Sequence, residues 1–135
     1  MVIDTSALTA ILRGESQRDD FLMAIATSPA RLLSAVTRLE ATMVLERRYG
    51  PEAGADLELL LYSSRARIVA FDAQQADIAR SAWKKYGKGN HPAGLNLGDC
   101  CVYALAKLSG EPILCKGNDF PQTDIAIFET RSRPS

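Results

Sequence analysis

Short apolar runs separated by one or two helical segments predict an α/β fold, with a central, mainly parallel sheet of four to five strands flanked by helices. Three observations carry this expectation. Apolar runs of strand length recur at residues 1–4, 31–36, 68–71, 112–115 and 124–128. The longer segments between them place apolar residues at helical spacing. Ser28-Pro29, Gly50-Pro51 and isolated glycines mark the boundaries. A length of 135 residues suits one domain, assigned to residues 1–130 with a polar tail at 131–135. With 47% hydrophobic and 24% charged residues, the chain has the composition of a globular protein with one real core.

Met1-Val2-Ile3-Asp4 is a first strand ending in an acid, and Thr5-Ser6-Ala7 opens a helix that Gly14 breaks. Residues 17–27 put Phe21, Leu22, Ile25 and Ala26 on one helical face, which serves either the core or a partner's groove. Residues 31–36 form a buried strand. A helix then begins at Thr37 and runs through Leu39, Met43 and Val44 to Gly50-Pro51. Residues 52–64 are helical with Leu57, Leu60 and Leu61 inward, and a strand follows at 68–71. The helix at 73–86 offers Ala76, Ile78, Ala79, Ala82, Trp83 and Tyr86 for packing, with Gly87 as its C-cap. Residues 87–96 make the longest polar loop. A helix at 98–108 ends at Gly110, and strands follow at 112–115 and 124–128.

Several classes of function are excluded. Sixteen basic and sixteen acidic residues give no net charge, which rules out a globally basic nucleic-acid coat and a polyacidic tail. The thiols Cys100, Cys101 and Cys115 contain no CxxC pair, and His91 is the one histidine, so zinc lacks its soft ligands. Buried, reduced thiols in a cytoplasmic protein are expected. Asp4 interrupts any signal-peptide core, and no apolar run is long enough to span a membrane. No GxxxxGK[ST] motif for nucleotide phosphates occurs.

Parallel α/β sheets bind ligands beyond the carboxyl ends of their strands. Asp4 ends the first strand, Glu40 lies one turn into the helix after the second, Asp99 opens the helix before the fourth, and Asp119 follows that strand. Each acid has a local explanation. Asp4 and Asp99 suit helix N-termini, Thr37 to Glu40 spells a capping box, and Asp119 suits a turn. Together in one crevice they would repel, and a divalent cation removes that conflict. An all-oxygen donor set suits Mg²⁺ or Mn²⁺. Thr5, Ser6, Asn96 and Asn118 stand beside the acids as helper polar groups.

These motifs resemble the PIN-domain nucleases and, within them, the VapC-type toxins of toxin–antitoxin pairs. The resemblance rests on Met1-Val2-Ile3-Asp4-Thr5-Ser6-Ala7-Leu8, Glu40, Leu95-Asn96-Leu97-Gly98-Asp99-Cys100, the Tyr103-Ala104-Leu105-Ala106-Lys107 run, Lys116-Gly117-Asn118-Asp119-Phe120 and Thr123-Asp124-Ile125. It implies a PIN-like three-layer fold and a Mg²⁺- or Mn²⁺-dependent endoribonuclease. Asp4, Glu40 and Asp99 would be metal-binding acids, Ser6 or Thr5 a helper hydroxyl, and Asp119 the fourth acid. Many relatives carry an acid or Asn where this chain has Gly117, and Asp124 competes with Asp119. A homodimer neutralised by a VapB-type antitoxin is implied as well. Water activated at such a site gives a 5′-phosphate and a 3′-hydroxyl. A lone histidine argues against a metal-free route through the 2′-hydroxyl.

Residues 80–91 carry Arg80, Lys84, Lys85 and Lys88 without an acid, interleaved with Trp83 and Tyr86. Lys84, Lys85, Lys88 and His91 are therefore expected to bind RNA, with the aromatic rings stacking on bases. The alternative is a solvated basic helix end with its aromatic residues packed inside. Among rival functions, a haloacid-dehalogenase-type phosphatase wants a second Asp where Ser6 stands. A non-catalytic RNA- or protein-binding PIN-like module is the rival of a different class.

Overall fold

The computed structural model describes residues 1–130, so the tail assigned to 131–135 lies outside the described residues. The elements run β1 (Val2–Ile3), α1 (Thr5–Leu12), α2 (Arg18–Thr27), β2 (Leu32–Ser34), α3 (Ala35–Tyr49), α4 (Pro51–Ser63), β3 (Arg67–Val69), α5 (Ala73–Tyr86), α6 (Leu97–Ser109) and β4 (Ile113–Leu114). A single turn of 3₁₀ helix follows at Phe120–Gln122. The four strands pair in parallel in the order β3-β2-β1-β4, with Val2 opposite both Leu32 and Ile113.

Successive strand residues point to opposite faces of a sheet, and here that rule builds three layers. Ile3 and Leu114 face one core, where Leu8, Phe21, Leu45 and Leu57 meet them from α1 to α4. Val2 and Ile113 face the other, packed by Ala82, Tyr86, Val102 and Leu105 from α5 and α6. Each fully buried large side chain contributes about 1.5–3 kcal/mol. Of the helical face at 17–27, Phe21 and Ile25 belong to the first core and Leu22 packs partly against it, while Ala26 is exposed. Cys100, Cys101 and Cys115 are all buried, and burial pushes the Cys100 thiol up to about 11. No helix among the described residues is long and apolar enough to cross a membrane.

Helix boundaries follow local chemistry. Pro51 opens α4 after Gly50, whose φ of +90° favours glycine, and Gly110 closes α6 at φ +74°. Three expectations are corrected. The helix expected from Thr37 starts at Ala35, because the Ser34 hydroxyl accepts the Val36 N–H at 3.2 Å and caps it. Thr37 is therefore buried inside α3, with no hydrogen-bond partner for its hydroxyl. The strand expected at 124–128 reduces to one parallel bridge between Ile113 and Ile127. Ala76 and Trp83 stay outside the core, Trp83 being 50% exposed.

The corrected start of α3 separates two variants. Ser34→Ala should destabilise the protein by about 1 kcal/mol through loss of the cap. Thr37→Val should be neutral or stabilising by about 1 kcal/mol, because it removes an unsatisfied buried hydroxyl. Urea denaturation of both checks this, and the reverse order would restore Thr37 as the cap.

Candidate active site

The sheet delivers the acids to one edge. Asp4 leaves β1 and caps α1, and its backbone N–H bonds the Leu114 carbonyl of β4 at 3.0 Å. The end of β2 passes directly into α3, which packs against both α1 and α6 and carries Glu40 between them. Asp99 is the third residue of α6, and Asp119 stands in the turn beyond β4.

Three of the four carboxylates, Asp4, Glu40 and Asp99, are each held by a neighbouring donor. Asp4 is 6% exposed, and its Oδ2 accepts from the Ser6 N–H at 3.0 Å and the Ser6 hydroxyl at 2.6 Å. Ser6 Oγ in turn accepts from the Lys116 N–H at 2.9 Å, which ties the loop after β4 to the start of α1. Thr5 donates its hydroxyl to Glu40 Oε1 at 2.5 Å. Asp99 and Asn96 form a reciprocal capping box, with Asp99 Oδ2 accepting from the Asn96 N–H at 3.1 Å and Asn96 Oδ1 accepting from the Asp99 N–H at 2.9 Å.

The helper groups thus divide. Thr5, Ser6 and Asn96 orient acids directly. Asn118 is exposed, and its backbone carbonyl accepts from Gln122. Asp124 is engaged elsewhere, accepting from the Tyr103 hydroxyl at 2.6 Å and from Lys107 Nζ at 2.9 Å, partners that hold its carboxyl below the ordinary range.

The electrostatics join what the sequence separates. Burial pushes the Asp99 carboxyl up to about 6, and the charges of Asp4, Glu40 and Asp119 push in the same direction. Burial also raises Asp4, against the lowering effect of its Ser6 bonds, and Glu40 adds to the rise. All four acids therefore act within one field, with Asp119 rather than Asp124 acting on Asp99. Among the described residues, no three His, Cys, Asp or Glu side chains converge closely enough to hold a metal ion as they stand. Asp4, Glu40 and Asp99 are instead each turned to their own donor, as repelling carboxylates are expected to be.

The PIN-domain family model matches residues 1–126. A ribonuclease VapC of Mycolicibacterium smegmatis is 51% identical over 126 residues, covering 93% of this chain and 98% of the relative. The chain belongs to the PIN-domain family, among the VapC ribonucleases. VapC20 of Mycobacterium tuberculosis, described as a sarcin-ricin loop cleaving toxin, shares the fold at a TM-score of 0.76 and 19% identity, over 95% of this chain and 98% of that one. The VapBC2 structure of Rickettsia felis, bound to a fragment of promoter DNA, contains a chain matched at a TM-score of 0.74 and 13% identity, over 95% and 96% of the two chains. PIN-domain VapC ribonucleases are generally dependent on divalent metals. The residues present fit such an ion in their chemistry, because the donor set is all oxygen and burial, with the charges of three other acids added to it, disfavours the charged Asp99 carboxylate.

In this PIN domain the loop expected to meet RNA is tethered beside the acids. Lys88 donates its N–H to the Leu95 carbonyl at 2.9 Å, one residue before the Asn96 cap. Lys84, Lys85 and Lys88 are exposed. Tyr86, expected to stack on bases, is instead buried, edge-on to His91 at 5.1 Å between ring centroids. His91 accepts the Ala93 N–H at Nδ1, so its ring also braces the loop. Trp83 lies over Gly87 and remains available to solvent. Beside Glu40, the exposed side chains of Leu39, Met43, Val44 and Leu97 line an apolar groove reaching Arg47 and Arg48.

One contributor carried no sequence signal of its own role. The Lys116 N–H that holds Ser6 is a backbone group and is invisible in side-chain identity.

Raised carboxyl pKa values have a definite sign in stability. The charge on Asp99 disfavours folding fully above about pH 6 and not at all below the unfolded value near 3.8. Metal-free Asp99→Asn should therefore melt at a higher temperature than the parent at about pH 8, and the gap should close by about pH 4. Thermal melts at both pH values in a chelator check this. An equal gap at both would remove burial of the Asp99 charge as its cause.

Proposed function

We propose that this VapC-family ribonuclease is an endoribonuclease toxin. It cleaves RNA phosphodiester bonds with Mg²⁺ or Mn²⁺ held by Asp4, Glu40, Asp99 and Asp119, and a VapB-type antitoxin neutralises it. The observation that carries the reading is the Asp99 carboxyl, pushed up to about 6 where burial and three other acids meet. Such a crevice disfavours its own charge and favours a cation. Bound there, the ion supplies activation of water and neutralisation of charge on phosphate oxygens.

The chain's own groups set the geometry. Ser6 holds Asp4, Thr5 holds Glu40, and the Asn96 backbone holds Asp99. The Lys116 N–H braces Ser6. Lys84, Lys85 and Lys88 bind RNA phosphates at the rim, with Trp83 able to stack on a base. His91 supports the same loop from within. Asp124 anchors Tyr103 and Lys107, which supports Asp119 as the fourth acid. The antitoxin, and a second copy of this chain in a homodimer, are the proposed protein partners. The exposed apolar groove beside Glu40 and the solved VapBC2 structure support protein partners of this kind.

Purified protein incubated with total RNA should give discrete fragments with Mg²⁺ or Mn²⁺ and none with EDTA. Asp99→Asn should lose roughly 100-fold or more of this activity. Cleavage that persists in excess EDTA would refute the metal-dependent reading. Changing Lys84, Lys85 and Lys88 to Glu should reduce the slope of log affinity against log salt by about 2, at about 0.7 per phosphate contact. Metal affinity should hold in that variant. An unchanged salt slope would remove these lysines from the RNA surface.

A further inference from the structure

We propose that Gly98 is a positioning residue of the acid site: its missing side chain is the space in which the Glu40 carboxylate sits. This rests on the metal-dependent reading above and deepens it. Gly98 is buried in the first turn of α6, directly before Asp99. Its φ does not lie in the left-handed region, so the backbone there does not call for glycine. A helix interior favours almost any other residue over glycine except proline.

The contact across the helix pair supplies the reason. A Cβ at position 98 would lie 2.0 Å from Glu40 Oε2, 2.6 Å from Cδ and 2.8 Å from Oε1. All three nearest atoms belong to that one carboxyl group. Thr5 fixes the same carboxylate from the other side, through the 2.5 Å bond to Oε1. Glu40 is therefore clamped between a hydroxyl donor on α1 and the bare backbone of α6. A methyl group at position 98 leaves the helix intact and forces the Glu40 carboxylate out of the place it occupies.

The chain contains a matched control. A Cβ at Gly54 of α4 would lie 2.0 Å from Glu46 Oε2, the same kind of contact between α3 and α4, but with an acid that is not one of the four acids of the site. Glu46 is exposed to solvent.

The test is Mn²⁺ binding by calorimetry without RNA, together with thermal melting in a chelator. Gly98→Ala should weaken Mn²⁺ binding by roughly 10- to 100-fold, the range for losing a group that orients a ligand. It should leave the metal-free melting temperature unchanged or raised. Gly54→Ala should bind Mn²⁺ as the parent does. In a Glu40→Ala background, adding Gly98→Ala should cost no further affinity, because the displaced group is gone. Parental Mn²⁺ affinity in folded Gly98→Ala would overturn the proposal, as would the same added loss in the Glu40→Ala background. Unfolding of Gly98→Ala that Glu40→Ala does not relieve would also overturn it, since the glycine would then serve backbone packing. A parent that binds no Mn²⁺ would overturn this proposal and the metal-dependent reading together, whereas the other failures leave that reading standing.

Discussion

Repulsion among like charges in a confined space is the constraint around which this molecule is arranged. Asp4, Glu40, Asp99 and Asp119 come from distant parts of the chain, and the parallel sheet brings them into one field at its carboxyl edge. Nothing in packing favours such a gathering. Asp4 is nearly fully buried and Asp99 is held far above its ordinary range. The fold offsets the cost with a donor for each of three acids: the Ser6 hydroxyl and N–H, the Thr5 hydroxyl, and the Asn96 N–H. It also needs a scaffold stiff enough to resist relaxation, and the two cores on either side of the sheet provide it.

The supports of the site belong to the same interactions that define the elements. Asp4 is both an acid of the site and the cap of α1, and Asp99 is both an acid and half of the α6 capping box. A helix N-terminus carries partial positive charge, so it tempers the carboxylate that caps it. Local folding and site geometry are thus fixed by the same hydrogen bonds. The close approach of α3 to α6 at Gly98 extends this economy to a position with no side chain at all.

Much of this was legible in the residues because the signals are local and strong. Met1-Val2-Ile3-Asp4 reads as a strand ending in a cap, and the helix at 73–86 closes at Gly87 as its periodicity requires. The start of α3 was not legible. Ser34 and Thr37 are both good caps by chemistry, and only the pairing of Leu33 with Ile68 and Ser34 with Val69 carries the strand up to Ser34 and makes it the cap. The last strand failed for a related reason, since alternation shows that residues can pair but not how many find a partner. Tyr86 looked like a stacking ring because aromatic and basic residues alternate there. Its burial follows from α5 packing on α6, a contact no local pattern encodes. The acids and their helper groups could be placed on one edge from topology, but which donor serves which acid, and the engagement of Asp124 with Tyr103, needed three dimensions.

The chain belongs to the PIN-domain family, among the VapC ribonucleases, and its acids crowd one edge of the sheet. The most direct test is a crystal structure of the protein soaked in Mn²⁺, with anomalous scattering measured at the manganese edge. An anomalous peak in contact with carboxylate oxygens of Asp4, Glu40 and Asp99, with Asp119 beside it, is the result this account predicts. A manganese peak bound elsewhere, with Asp4, Glu40 and Asp99 still turned to their own donors, would contradict it.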